Sequence, residues 1–349
     1  GWDAQTGNPN VVIAVIDSGF DLGHADLAFT PNIPGNYTHF NAEEFLDGDP
    51  LPFNAGPSGV PHGTSVAGLA AATLDNAAGI AGVAGGCTIM PVRLGQVPSA
   101  DRVAAGVNWA VANGAEVASM SLGTTSTAAA INAMTNAWAA GLVLCAATGN
   151  GDFGAVNFPA NHADVIAVGA SDQADERKRS SSAEGQWWWG SQFGPELDVT
   201  APGVLVWSTD EQGANGYNDN NGGAVNIGPA PGINYPSTGD ANGDYYALFG
   251  GTSASTPQVA GLAALLLSEY PGLTNQQVRD IIERTCDKVN PGMYPYAHDP
   301  NRPNGTWHIE MGHGRIDCDA ALRYADVMIS DHAFDTGAVP SCEHIGGVW

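Results

Sequence analysis

The sequence of 349 residues is short of positive charge. Lysine and arginine together number 11, against 36 aspartates and glutamates, and the formal net charge is −25. Lys178 and Lys288 are the only lysines. Because nucleic-acid binding needs a basic face that meets the phosphates, this balance argues against a nucleic-acid partner. An acidic surface favours solubility and attracts cationic peptides and divalent cations.

Long apolar runs are missing as well. No run of about eighteen apolar residues occurs, so the sequence predicts no membrane span. The N-terminus lacks a basic segment followed by an apolar one, so we expect that any signal or pro-segment is absent from this chain. Charged residues make up only 13%, but 44% of the residues are apolar and their periodicity is strong, which indicates a folded core.

Cysteine is scarce, and the five cysteines do not show the spacing of a metal site. Cys145 lies in an apolar strand run, which predicts a buried thiol. Cys286 and Cys318 flank the C-terminal helical region and could form a disulfide, with Cys342 as a competing partner. Loop-closure entropy would make such a bridge worth roughly 3–4 kcal/mol.

Short apolar runs alternate with helical segments along most of the chain. Residues 10–17 form a near-continuous apolar run, which is typical of a strand buried on both faces of a parallel sheet. Such alternation predicts an α/β fold, a doubly wound and mostly parallel sheet with helices on both faces. Further strands are predicted at 89–94, 117–123, 142–147 and 165–170, and helices at 65–72, 100–113, 127–140, 259–267, 275–286 and 320–327.

The composition of the sequence changes between 210 and 244, where Gly, Asn, Asp and Pro dominate and no hydrophobic periodicity is found. We interpret this stretch as a surface insertion and not as a linker, because the apolar helix after it must rejoin the core. The prediction is therefore one domain over 1–330, followed by an irregular tail at 331–349.

Three short motifs carry an aspartate, a histidine and a serine. Asp17 ends the first strand, and His62 opens a helix of small residues. Ser253 follows a glycine pair that permits a sharp turn, and Pro257 suits the first turn of the helix after it. A serine hydroxyl is a poor nucleophile at neutral pH, so an imidazole must take its proton and a buried carboxylate must hold the imidazole tautomer.

The order Asp, His, Ser resembles that of the subtilisin-like serine proteases, or subtilases, a reference case for this arrangement. The resemblance covers roughly residues 1–327 and implies the subtilisin-like α/β fold with surface insertions. It rests on five motifs in order: Val15–Gly19, His62–Gly68, Ser121–Gly123, Ala147–Asn150 and Gly251–Pro257.

The resemblance implies a role for each catalytic position. Asp17 would orient His62, which would act as general base and then as general acid. Ser253 would attack the scissile carbonyl. Asn150, predicted at the carboxyl end of a strand, would donate its side-chain amide to the oxyanion, together with the backbone N–H of Ser253.

Substrate-binding residues follow from the same resemblance. Ser121, Leu122 and Gly123 would form the edge that pairs with the substrate backbone, and Asn157 would lie near the base of the first specificity pocket. The opposing segment, at about 96–100, is shorter than in the family and lacks its glycines. Subsite preferences beyond the first therefore do not transfer.

A calcium site is a further implication. Asp26, Asn76 and the carbonyls of Leu74, Ala78 and Ile80 align with the tight calcium site of the family, and oxygen ligands suit this hard cation. We expect the ligand that relatives supply from their N-terminus to be missing here. The segment 240–244 also has the alternating oxygens of a calcium loop, but it lacks the glycine at the sixth position, and a solvated turn explains it equally well.

Three other features admit two interpretations each. The run Trp187–Trp189, in an insertion between Ser182 and Phe193, either covers an edge of the core or forms an exposed contact for a substrate or partner. The sequences beginning at Asn36 and Asn304 match N-glycosylation sequons, or they are ordinary loop sequence.

The sequence thus predicts a secreted, monomeric serine endopeptidase that acts on proteins or peptides and is made with a pro-segment. A peptide ligase or macrocyclase, with 210–244 shielding the acyl-enzyme, is one alternative. A non-catalytic binding module on the same fold is another. A metal-dependent hydrolase built on Asp17, Asp21, His24 and Asp26 is a third, but that cluster explains neither the histidine nor the serine of the other motifs.

Overall fold

The computed structural model describes residues 2–30, 40–41, 61–95, 98–184, 186–218 and 239–332. The sequon at Asn36, Cys342, the start of the 96–100 segment and the centre of the 210–244 insertion lie outside these residues. The strands are β1 (Val12–Asp17), β2 (Phe40–Asn41), β3 (Thr88–Arg93), β4 (Val117–Met120), β5 (Val143–Ala147), β6 (Ile166–Ser171), β7 (Val199–Pro202), β8 (Val206–Thr209), β9 (Tyr245–Phe249), β10 (Ala297–Asp299) and β11 (Arg302–Trp307). The helices are α1 (Pro61–Ala71), α2 (Ala100–Ala112), α3 (Ala128–Ala139), α4 (Thr252–Glu269), α5 (Asn275–Arg284) and α6 (Cys318–His332).

One parallel sheet of seven strands organises the described residues, in the order β2-β3-β1-β4-β5-β6-β7. The strands diverge in two directions from β1, with β3 on one side of it and β4 on the other. In open α/β sheets, such a switch of direction leaves a crevice at the carboxyl ends of the strands. The predicted doubly wound α/β fold is confirmed.

Helices cover both faces of the sheet, which explains why its strands are apolar throughout. On one face α1, α4, α5 and α6 pack with Val66, Leu262 and Ile281 into one core, and on the other α2 and α3 contribute Val103 and Met134 to a second. Full burial of one such side chain stabilises the fold by about 1.5–3 kcal/mol.

Helix α4 lies inside the protein, between the sheet and the outer helices. All of its residues are buried except Gln258 and Glu269. Gly261 permits the close contact with α1, because a Cβ at this position would lie 3.0 Å from the Ala70 carbonyl oxygen. None of the helices in the described ranges combines the length and the hydrophobicity that a bilayer crossing requires.

Antiparallel strands carry the 210–244 insertion, since its two ends leave β8 and β9, which pair with each other. The Asn218 side chain closes the base by donating to the carbonyl oxygens of Asp240 at 2.8 Å and Tyr245 at 2.9 Å. The backbone N–H of Asn218 donates to Asp210 Oδ2 at 2.6 Å. The insertion therefore begins and ends at one place on the sheet, as its interpretation as an insertion requires.

The predicted bridge between Cys286 and Cys318 is wrong, because both thiols are free. The Cys286 thiol, just after the end of α5, instead donates to the carbonyl of Ile282 in that helix at 3.1 Å. Burial raises the pKa of the Cys318 thiol to about 11, so this sulfur is protonated at neutral pH. Cys145 is fully buried, as predicted.

A buried ionic network joins the C-terminal elements to the sheet. Asp198 is fully buried and accepts hydrogen bonds from Arg279 Nη2 at 2.9 Å and from the Ala167 N–H at 2.8 Å. Asn304 is 3% exposed, and its amide donates to Asp280 and Glu283 at 2.8 Å each. Because a glycan needs this amide at the surface, the interpretation of Asn304 as a glycosylation site is wrong.

Candidate active site

A carboxylate and an imidazole meet at the carboxyl end of β1. Asp17 is the last residue of this strand, and His62 is the second residue of α1. Asp17 Oδ1 accepts from His62 Nδ1 at 2.7 Å and from the Ser18 N–H at 2.7 Å. The Asp17 side chain is 3% exposed and that of His62 is 27% exposed. Donation from Nδ1 fixes the tautomer and makes Nε2 the basic nitrogen.

The pKa of His62 is raised above its ordinary value of 6.5. Burial desolvates the imidazolium and by itself would lower this pKa. The charge of Asp17 and its hydrogen bond outweigh the desolvation. The carboxylate therefore makes His62 a stronger base than a free imidazole.

Ser253 is the second residue of α4, at the end of the helix that carries its partial positive charge. The preceding Gly251 has φ 103°, a left-handed conformation that favours glycine and that aims the helix start at the crevice. Ser253 is 8% exposed. Negative charge that develops beside its hydroxyl is therefore stabilised by the helix end.

Pro257 lies in the second turn of α4 and not in the first, so that prediction is wrong. Proline has no N–H, which leaves the carbonyl four residues earlier, that of Ser253, without its helical partner. Ser121 takes this place, with its Oγ donating to the Ser253 carbonyl oxygen at 2.9 Å. The Ser253 hydroxyl donates in return to the Ser121 carbonyl at 3.4 Å. The two serines thus join the end of β4 to the start of α4.

Of the two hydrogen bonds expected among Asp17, His62 and Ser253, the structure has the one between Asp17 and His62. The hydrogen bond of the Ser253 hydroxyl goes to Ser121, and among the described contacts no bond joins it to His62. The segment 121–123 nevertheless lines two cavities that share it as a wall, one bordered by Asp17 and His62 and the other by Asn150 and Ser253, and the two halves are together called the cleft. The histidine and the serine therefore lie at the same crevice.

Asn150 lies at the carboxyl end of β5, and its amide orientation is set by Thr252. Asn150 Oδ1 accepts from the Thr252 N–H at 2.9 Å and from Thr252 Oγ1 at 3.0 Å. Because both donors occupy the oxygen, the amide nitrogen is the atom that points away from Thr252. An Nδ2–H group beside Ser253 is therefore available to an acceptor in the cleft.

Leu122, Gly123 and Asn157 line the same half of the cleft as Ser253. Gln192, a 3%-exposed residue behind this wall, was not predicted from the sequence. Its Nε2 donates to Asn157 Oδ1 at 3.2 Å and to the Ala155 carbonyl at 2.6 Å, while its Oε1 accepts from the Gly151 N–H at 3.1 Å. A single glutamine outside every motif gives no signal in one sequence.

The residues aligned with a calcium site lie close together, with Asp26 packed against the loop 74–80. Asp26 is fully buried, and Asn76 Nδ2 donates to its Oδ1 at 2.6 Å. The Ile80 N–H donates to Asp26 Oδ2 at 3.1 Å, and the Ala78 N–H to Asn76 Oδ1 at 3.0 Å. Leu74 begins this loop. The side-chain oxygens of Asp26 and Asn76 therefore all accept protein hydrogen bonds.

The other acidic groups that the structure describes show no metal-type arrangement. Asp240 Oδ1 accepts from the N–H groups of Asp244 and Tyr245 at 2.9 Å each, which makes 240–244 a turn closed by its own carboxylate. His24 Nε2 bonds to the Asp244 carbonyl at 2.9 Å, and Asp21 accepts from Gln212 N at 3.0 Å. Among the described residues, no three His, Cys, Asp or Glu side chains are grouped so that they could hold a metal.

The arrangement defines a class of protein. A serine at a helix N-terminus that shares a cleft with a hydrogen-bonded carboxylate–imidazole pair is typical of hydrolases that work through a covalent acyl-enzyme. An amide donor beside the serine, as Asn150 provides, is the kind of group that stabilises an oxyanion.

Comparison with known proteins agrees with this class. The family model of the subtilases matches residues 8–314. Subtilisin of Bacillus pumilus is 34% identical over 293 residues, which cover 82% of this chain and 86% of that protein. Subtilisin E of Bacillus subtilis is 34% identical over 293 residues, 82% of this chain and 62% of that protein. A protease of Pseudoalteromonas arctica has a similar structure, with TM-score 0.67, 27% identity and coverage of 93% of this chain and 92% of that one.

The chain belongs to the subtilase family. It is therefore a serine protease, a hydrolase of peptide bonds, on a subtilisin-like α/β fold.

We predict that Ser121→Ala destabilises the fold by roughly 1–3 kcal/mol, because the buried Ser253 carbonyl then has neither a helical donor nor a side-chain donor. Urea unfolding measures the change. Ser119→Ala is the matched control, since Ser119 Oγ is buried on β4 and has no hydrogen-bond partner within the described residues. Equal losses in the two variants would contradict the account of Ser121.

Proposed function

We propose that this chain is an endopeptidase that cleaves through an acyl-enzyme on Ser253, with His62 as general base and Asp17 as its orienting carboxylate. The observation that carries the proposal is the 2.7 Å hydrogen bond between Asp17 and His62, at a cleft shared with Ser253. The raised pKa of His62 supports the same assignment, because it strengthens the base that must deprotonate a weakly acidic hydroxyl.

The reaction begins with a rotation about the Cα–Cβ bond of Ser253, which turns the hydroxyl from the Ser121 carbonyl towards His62 Nε2. As Oγ bonds to the carbonyl carbon, its proton passes to Nε2 and Asp17 stabilises the imidazolium. The C–N bond then breaks, and Nε2 gives the proton to the leaving amine. Water repeats the two steps on the acyl-enzyme, and the serine is regenerated.

Asn150 Nδ2 and the backbone N–H of Ser253 are the donors that we assign to the oxyanion. Their support is the pair of hydrogen bonds from Thr252 to Asn150 Oδ1, which holds the amide before any substrate arrives. A donor that needs no reorganisation during the reaction gives its full electrostatic stabilisation to the transition state. Thr252 is therefore a positioning residue for Asn150.

Ser121, Leu122 and Gly123 are assigned to the substrate main chain on the acyl side, and Asn157 to the first pocket, because all four line the cleft next to Ser253. The substrates that we propose are proteins or peptides. Secretion, synthesis with a pro-segment and a monomeric state complete the proposal on the strength of family membership.

Removal of the nucleophile and of the oxyanion donor should have different effects. We expect Ser253→Ala to lower kcat by roughly 10⁶-fold. Asn150→Ala should lower it by about 10²–10³-fold. Hydrolysis of a p-nitroanilide peptide measures both. The control is Asn132→Ala, an exposed asparagine on α3. Near-normal activity of Ser253→Ala would refute the nucleophile, and a loss below about threefold in Asn150→Ala would remove that residue from the role.

The pH dependence of kcat/KM should follow His62. The neutral imidazole is the active base, so activity rises as the pH passes the pKa of His62, and a raised pKa places this midpoint above 6.5. In Asp17→Asn the raising interactions are lost while burial remains, so we expect the midpoint to fall below 6.5. Activity should also fall by about 10⁴-fold. An unchanged midpoint would separate Asp17 from His62 in function.

We further propose that the loop around Asn76 holds calcium through Asp26, Asn76 and the carbonyls of Leu74, Ala78 and Ile80. The carboxylate of Asp26 and the amide of Asn76 face each other. A half-turn of this amide would present its oxygen in place of its nitrogen, and it would give up the hydrogen bond from the Ala78 N–H. Three side-chain oxygens then converge, which suits a hard cation. Calcium would neutralise the buried carboxylate and fasten the loop to the core.

A chelator should therefore lower the melting temperature of the wild-type protein, because binding to the folded state alone is a source of stability. Differential scanning calorimetry with and without EDTA measures the shift. In Asp26→Asn the shift should be much smaller. A wild-type melting curve that does not respond to EDTA would contradict the site.

A further inference from the structure

Both interpretations of the run Trp187–Trp189 apply, each to a different part of it, since one tryptophan is buried and two are exposed. Trp189 is buried, and its Nε1 donates to Gln186 Oε1 at 2.8 Å. It packs against Ala170 and covers an edge of the core. Trp187 and Trp188, by contrast, are 56% and 50% exposed, with their rings edge to face and their centroids 6.3 Å apart. Residues 186–190 are called the tryptophan loop below.

A buried lysine holds the tryptophan loop from inside. Lys178 is fully buried, and its Nζ donates to the carbonyl oxygens of Gln186 at 2.8 Å and Trp189 at 3.1 Å. The same ammonium pairs with Glu184 at 2.8 Å and lies over the Trp189 ring. Because an ammonium group loses its hydration on burial, it needs all of these partners. The backbone beneath the two exposed rings is thereby fixed.

The loop borders the candidate catalytic residues. The Gly190 N–H donates to the Asn150 carbonyl at 3.3 Å, and the Gly190 carbonyl accepts from the Asp152 N–H at 2.9 Å. A Cβ on Gly250, three residues before Ser253, would lie 3.6 Å from both Trp189 Cζ2 and Gln186 Oε1. The loop therefore packs against both segments that carry the proposed oxyanion donors, the one with Asn150 and the one that leads to Ser253.

The wall of the cleft on the acyl side of the scissile bond is formed by residues other than the tryptophan loop. Segment 121–123, Gly149 and Asn157 line the half of the cleft that contains Ser253, and no residue of the tryptophan loop is among its lining residues. A peptide that is bound along 121–123 and continues past Ser253 leaves this wall. The tryptophan loop is a rigid, apolar surface next to Asn150 and outside that wall.

We propose that Trp187 and Trp188 form an apolar subsite for the substrate side chain on the amine side of the scissile bond, with a preference for aromatic and large aliphatic residues. The inference rests on the proposed function of Ser253. Two half-exposed rings on a fixed backbone offer apolar area that a substrate can cover with little loss of conformational entropy. Their preference is a property of this chain's own inserted residues.

The test compares two substrates with the same acyl part. One is a quenched fluorescent peptide with Phe after the scissile bond, and the other is the methyl ester, whose small methoxide leaving group does not reach the subsite. The measured quantity is the ratio of the two kcat/KM values. In Trp187→Ser/Trp188→Ser we expect the ratio of peptide to ester to fall roughly five- to thirtyfold. This is less than the roughly 13- to 160-fold that full burial of a large apolar side chain is worth, because two half-exposed rings cover only part of it.

Three comparisons make the result decisive. Trp2→Ser removes an equally exposed tryptophan (49%) near Val83, far along α4 from Ser253, and should leave the ratio unchanged. A peptide with Gly in place of Phe should show little difference between wild type and variant. Partial unfolding of the double variant lowers both rates together and leaves the ratio intact. A ratio equal to that of wild type, or a change of preference on the acyl side, would overturn the subsite.

Failure of the proposed function gives a different pattern. In that case wild-type protein hydrolyses neither substrate, or Ser253→Ala remains active. A second measurement on the wild type uses the acyl-enzyme directly, by competition of phenylalaninamide and glycinamide with water for its cleavage. We expect phenylalaninamide to be preferred and this preference to decline in the double variant. Equal capture of the two amines would contradict the subsite.

Discussion

The reciprocal hydrogen bonds between Ser121 and Ser253 are the contact on which the site depends. They exist because Pro257 withholds the N–H that would otherwise satisfy the Ser253 carbonyl. A helix with an unbroken ladder would have no acceptor to offer to the neighbouring strand. The proline therefore connects the buried helix to the end of β4, and the segment that we assign to the substrate main chain is fastened to the residue that we assign to its cleavage.

The same end of the sheet gathers the other parts of the site. Asp17, Ser121 and Asn150 follow or end three neighbouring parallel strands, and such ends lie at one edge of a sheet. His62 and Ser253 are each the second residue of a helix that packs on one face. The residues that we assign to catalysis come together because strand ends and helix starts meet at this edge of the sheet.

This regularity explains how much of the molecule could be predicted from sequence. The apolar strands and the order of the motifs carry the fold, and most helix bounds lie within a few residues of those expected, although α4 begins at Thr252, well before the apolar run at 259–267. The second-turn position of Pro257, the free thiol of Cys286 and the role of Gln192 depend on contacts between segments far apart in the chain. A single sequence contains no record of such contacts. The short strand β7 was missed for a similar reason, because its pairing with β6 decides it more than its own composition does.

Both insertions of this chain reach the rim of the cleft. Tyr217, in the described part of the 210–244 insertion, lies 6.1 Å from the Phe249 ring, whose centroid is 5.5 Å from that of His62. The tryptophan loop lies beside Asn150. Aromatic residues from the two insertions thus border a site whose central residues are held by the sheet and its helices. The residues around the cleft can therefore vary while the sheet and helices that position the site stay the same.

The interior position of lysine has a practical consequence. One ammonium group is enclosed behind the tryptophan loop, and that of Lys288 donates to the His313 carbonyl, with burial lowering its pKa. Reagents that acylate lysine amines, or resins that capture proteins through them, will find one partly buried lysine side chain, that of Lys288, with which to react. The exposed members of the 36 carboxylates are the handles by which this enzyme can be coupled to a support.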